Sequence, residues 1–130
     1  MSLSTDRPEL PLAFRKTAEL EKLLRKYMEE VHVNETTVDM ERRAITRIVV
    51  QQHFLLREPE YNVHKLAVMI SRLEGSKEQM TTIYIECNKI SHRTEDEIKI
   101  PLRRLFTQID ELDKKVDQTI LLVRHFLGRI

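Results

Sequence analysis

Residues 98–130 carry a hydrophobic repeat that only a long helical partner can satisfy. Alternating steps of four and three give Ile98, Leu102, Leu105, Ile109, Leu112, Val116, Thr119, Val123, Phe126 and Ile130, nine of the ten apolar. On an α-helix these positions fall along one seam, so the stretch has to lie against another long helix. The rest of the chain has little from which to build anything but helices. It holds two Gly and four Pro in 130 residues, with 33% of the chain charged. Sandwiches and barrels need more turn residues than that.

The same reading applied upstream divides the chain. Residues 1–9 are polar, carry Pro8 and read as a flexible arm. Leu10-Pro11-Leu12-Ala13-Phe14-Arg15 alternates apolar and other residues, which reads either as a short strand or as an extended lead-in to the first helix. From Thr17 the period becomes helical, with Leu20, Leu23, Leu24, Tyr27, Met28 and Val31 on one stripe. That stripe is expected to stop at His32-Val33-Asn34, with Asn34 or Thr36 capping a second helix over residues 37–57. Val38, Ala44, Ile45, Ile48, Val49, Val50, Phe54, Leu55 and Leu56 make this second helix apolar on several sides. Pro59 is expected to end it.

A third helix is expected from Glu60, with Val63, Leu66, Ile70, Leu73, Met80, Tyr84 and Cys87 as its seam. Lys77 is a charged interruption of that seam, and Gly75-Ser76 a place for a bend or break. Thr94-Glu95-Asp96-Glu97 reads as a capping box, and Pro101 then implies either a later start for the last helix or a kink. The expected fold is all-α, mainly helical with at most one short N-terminal strand, and built on a long helical hairpin or bundle. Three segments follow: the arm at 1–9, a module at 10–57 and an oligomerising hairpin at 58–130. Leu102, Leu105, Ile109, Leu112, Val116 and Val123 are the expected oligomerisation residues, giving a dimer or a tetramer.

Motifs with chemistry are scarce. The five histidines, 32, 53, 64, 92 and 125, are scattered, with no HExxH or CxxC arrangement. Glu29-x-x-His32 has the spacing of a di-iron half-site, but the chain has no second such pair. Gly75 and Gly128 stand alone, so no glycine-rich loop can cradle a phosphate. The single Cys87 sits on an apolar stripe and reads as a buried structural thiol. Charge is balanced in both halves, with 11 cations against 11 anions up to residue 65 and 11 against 10 after it. No apolar run is long enough to span a membrane, and the first 20 residues hold no signal-peptide core. The expectation is a cytoplasmic protein with no catalytic, cofactor or metal site and no membrane partner.

Residues 10–56 read as strand, amphipathic helix, turn and second helix. With Leu10 to Arg15 as ribbon, Glu19-Leu20-Glu21-Lys22-Leu23-Leu24 as first helix and Asn34-Glu35-Thr36-Thr37 as turn, this order resembles the ribbon-helix-helix DNA-binding family. Glu41-Arg42-Arg43-Ala44-Ile45 looks like that family's second helix. The resemblance implies paired strands in the major groove of double-stranded DNA, with Pro11, Ala13 and Arg15 facing the bases and Lys16 beside them. It also implies a phosphate held by Asn34, Thr36 and Thr37 at the second helix start. The ribbon departs from the pattern, since Pro11 and Ala13 cannot hydrogen-bond base edges, and the turn lacks the family's usual glycine. Asn88-Lys89-Ile90-Ser91-His92-Arg93 ahead of a final helix is similar to plasmid mobilisation accessory proteins. That similarity implies a non-enzymatic partner of a relaxase at a transfer origin. The competing expectation is an all-helical oligomeric adaptor, chaperone or scaffold that binds another protein and no DNA.

Overall fold

The computed structural model describes residues 10–50 and 59–128. Among these residues, three long helices follow a single turn of 3-10 helix at Leu12–Phe14: α1 (Thr17–Val50), α2 (Pro59–Asn88) and α3 (Asp96–Leu127). Each helix packs against both of the others. Arg72 of α2 reaches Glu41 of α1, while Glu86 and Cys87, a further four turns along α2, act on Tyr27, so α1 and α2 run antiparallel. The short turn after α2 reverses the chain again, which leaves α3 parallel to α1. The described residues form an up-down-up three-helix bundle.

The core is one continuous column. Leu20, Leu24, Val31, Val38 and Ile45 enter it from α1, and Leu66, Met69, Leu73, Met80, Ile83 and Cys87 from α2. From α3, Ile98, Leu102, Leu105, Ile109, Leu112, Val116, Thr119, Val123 and Phe126 are buried, as the repeat predicts; its last position, Ile130, lies outside the described residues. A fully buried Leu or Ile contributes about 1.5–3 kcal/mol, so a column of this length can hold three helices without disulfides. Cys87 is part of it, and burial pushes its thiol up to about 12.

Several local expectations are corrected. Among the described residues there is no strand, so residues 10–15 do not form the ribbon that a ribbon-helix-helix protein needs. The Phe14 amide bonds the Pro11 carbonyl at 2.9 Å and the Arg15 amide bonds that of Leu12 at 3.3 Å, which closes a local turn in place of a ladder. The chain does not turn at Asn34 either. α1 is unbroken from Thr17 to Val50, because Asn34 continues the three-four repeat between Val31 and Val38. Its Nδ2 donates to the Glu30 carbonyl at 2.8 Å, while the Thr36 and Thr37 hydroxyls donate to the carbonyls of His32 and Val33. Side chains that would cap a helix start are instead satisfied inside a helix. The ribbon-helix-helix resemblance, and the mobilisation-protein layout built on it, therefore do not hold.

The α2 seam follows the expected one at Leu66, Leu73, Met80 and Cys87 but shifts by one residue at the positions between. Met69, Ser76 and Ile83 are buried there, while Ile70, Lys77 and Tyr84 are only partly buried. Lys77 therefore does not interrupt the core but pairs across the surface with Asp117 at 2.6 Å. Helix α2 also runs through Gly75 and Ser76 without a break, and Pro59 opens it, a first-turn position where the missing amide costs nothing. At α3 the helix starts at Asp96 with Glu95 in place of Thr94 as its N-cap, and the cap makes no side-chain capping bond. Pro101 lies inside the second turn, depriving only the carbonyl of the exposed Glu97 of its amide donor. The apolar positions expected at Phe54, Leu55 and Leu56 lie outside the described residues.

Candidate interaction surface

Two features stand out on the bundle's exterior. The first is a polar junction where the chain enters α1. The Arg93 guanidinium donates through Nε to both oxygens of Glu95, at 2.9 and 3.0 Å. Through Nη2 it donates to the Thr17 hydroxyl at 3.0 Å, and through Nη1 to the Arg15 carbonyl at 2.8 Å. One side chain from the α2–α3 turn thus fixes the start of α1. The Arg93 guanidinium, with help from the Thr17 hydroxyl, holds the Glu95 carboxyl down to about 2. The spacing Arg93-x-Glu95 is visible in the sequence, but nothing there shows that Thr17, 76 residues away from Arg93, joins it.

The second feature is the outer face of α1 and the groove it forms with α2. Val33 and Met40, seven residues apart on this face, are 63% and 65% exposed. Val33 also borders an open groove of 730 Å³ lined by Tyr27, Asn34 and Ile83. Its rim carries Glu29, Glu30 and Glu86 against one cation, Lys26. Burial, then the nearby Glu86 charge, pushes the Tyr27 hydroxyl up to about 12, so it stays a neutral donor at any ordinary pH. Farther along α1, Asp39, Arg42, Arg43 and Arg47 line a second open concavity.

The residues expected to hold DNA do not come together. Ala13 lies in the 3-10 turn, Arg15 gives its carbonyl to Arg93, and Lys16 is exposed at the start of α1. Asn34, Thr36 and Thr37 lie about 27 Å farther along the same helix, at 1.5 Å per residue. Their backbone amides are inside α1 and are not free to hold a phosphate. Leu102, Leu105, Ile109, Leu112, Val116 and Val123 are all buried by the chain's own α1 and α2. The outer face of α1 did not emerge from the sequence, because a break at Asn34 separates Val33 from Met40. Reading the three-four repeat straight through Asn34 would have exposed it.

Among the described residues, no three His, Cys, Asp or Glu side chains are placed to share a metal ion. No described helix is long and apolar enough to cross a membrane. No protein-family model matches the chain, and neither a curated protein nor a solved structure matches it.

Proposed function

We propose that this protein is a non-enzymatic helical adaptor or scaffold that binds another protein through the outer face of α1. The observation that carries this reading is the exposed pair Val33 and Met40 on one face of α1, with Val33 bordering the α1–α2 groove, on a bundle that buries a core of its own. Large apolar side chains aligned on one helix next to a concave surface suit a helix-in-groove mode of recognition. Tyr27 and Ile83 offer the groove an apolar lining, and the three rim carboxylates favour a helix flanked by Lys or Arg. The lone buried cysteine fits a reducing compartment, in agreement with a cytoplasmic site of action.

A photo-activatable side chain at position 33 tests the reading, with one at Lys114, on the exposed side of α3, as the control. A discrete protein adduct at 33 and none at 114 is the expected result. The same preparation is titrated against long mixed-sequence duplex at low salt. Tight duplex binding that falls steeply as salt rises would overturn the adaptor reading, since phosphate contacts release counterions.

A further inference from the structure

The outer face of α1 carries a second three-four pattern, directed away from the core: Lys26, Glu29, Val33, Thr36, Met40, Arg43 and Arg47. Its chemistry is symmetric about Thr36. Apolar side chains stand three and four residues to either side, opposite charges seven residues to either side, and cations ten and eleven residues out. We infer that α1 pairs with α1 of a second copy, antiparallel, about a two-fold axis at Thr36. The inference rests on the adaptor reading in taking this face as the contact surface, and it names the first helix to lie there.

In that arrangement Val33 packs on the second copy's Met40, and Glu29 faces the second copy's Arg43. Each contact occurs twice by symmetry. Thr36 meets its own counterpart on the axis. Its hydroxyl is already tied to the His32 carbonyl at 3.2 Å, so it can offer its methyl group. Glu29 and Arg43 are exposed, and neither has an ion-pair partner among the described residues. Any occupant of this face needs an apolar pair at its centre, a cation opposite Glu29 and an anion opposite Arg43. A reversed copy of α1 meets all three requirements.

Lys26 would oppose Arg47, and this repulsion limits the contact to residues 29–43, about 21 Å of helix. Such a strip falls short of the roughly 800 Å² per partner of a standard interface, so the pair is weak and concentration-dependent.

Sedimentation of the full chain from micromolar to millimolar concentration at low salt tests the pairing. The expected result is a rise from 15.5 kDa toward twice that mass. Arg43→Glu should weaken association by about tenfold. Adding Glu29→Arg should restore it, because the two reversals re-form both ion pairs. Lys26→Glu should tighten it by turning the Arg47 repulsion into attraction. Thr36→Cys should give a covalent dimer on mild oxidation, while the buried Cys87 stays reduced and Lys114→Cys stays monomeric. Circular dichroism checks that these exposed substitutions leave the helices intact.

A single-chain mass throughout would overturn the pairing. So would a dimer indifferent to Arg43→Glu, or a double variant no better than the single one. A monomer that still forms an adduct with a different protein at position 33 would remove the pairing and keep the adaptor reading. No adduct of any kind at position 33 would remove both.

Discussion

α1 and α3 run side by side in the same direction, at 34 and 32 residues, yet reach the common core with different side chains. α3 presents an almost unbroken apolar seam in which Thr119 is the one polar residue, its hydroxyl donating to the Lys115 carbonyl at 2.7 Å. α1 presents Leu20, Leu24, Val31, Val38 and Ile45, but Asn34 stands fully in the seam and Glu41 at its margin. Asn34 is answered by the Glu30 carbonyl, and Glu41, its side chain only 12% exposed, by Arg72 at 3.1 Å. A polar residue on an inward face does not end a helix when its polar atoms are met locally or by a neighbouring helix. The intrinsic penalty for Asn or Thr in a helix is at most about 0.7 kcal/mol, small beside the burial of flanking Val31 and Val38.

The largest effect should come from breaking the stronger seam. Leu112→Asp puts an unpaired charge at a position 2% exposed and should destabilise the fold by more than about 4 kcal/mol. Lys114→Ala, two residues away and exposed, should stay within about 0.5 kcal/mol. Urea unfolding of both variants checks this. Equal midpoints would mean that the inward face of α3 lies elsewhere.

The contrast between the seams also governs what the sequence revealed. The α3 seam was legible residue by residue, because its apolar pattern has no competing signal. The all-α class and the buried thiol at Cys87 followed from the same periodicity. α1 was read as two helices because Asn34, Thr36 and Thr37 are residues that also cap helices, and local sequence cannot say which role they take. That role depends on whether Val31 and Val38 have a shared core to enter, which is a tertiary fact. The false turn at Asn34 hid the outer face of α1, and with the alternation of residues 10–15 it suggested a ribbon protein. In α2, Lys77 and Ser76 are neighbours, and only the partner Asp117 decides which of them faces out.

Two substitutions at one position separate the one-helix and two-helix descriptions of α1. Asn34→Pro should destabilise by about 3 kcal/mol or more, since proline removes an internal hydrogen bond and collides with the preceding turn. A two-helix arrangement with a turn at this point would tolerate it, so a small change in melting temperature would refute the continuous helix. Asn34→Leu should act in the opposite direction and bring α1 closer to α3 in character. It exchanges one side-chain hydrogen bond for apolar burial at a site 5% exposed, a gain of about 1 kcal/mol. A higher urea midpoint at unchanged slope is the expected signature.

The smallest effect concerns the place where α1 and α3 begin together. Arg93, Glu95 and Thr17 tie the two helix starts, and the Glu95 carboxyl is held down to about 2, against 4.5 for a free side chain. A carboxyl with a depressed folded-state pKa contributes stability that is fully present above its unfolded value. That contribution is lost as pH falls from about 4.5 toward 2, where protonation breaks the Arg93 pair. Glu95→Gln cannot titrate, so its melting temperature should fall less over this window than that of the unmodified chain, although it starts slightly lower at neutral pH. Added salt should narrow the difference, because the Glu95 side chain is still 36% exposed. Parallel acid profiles for the two chains would show that the junction positions α1 through the Arg93–Arg15 carbonyl and Arg93–Thr17 bonds alone, with no net help from the Glu95 charge.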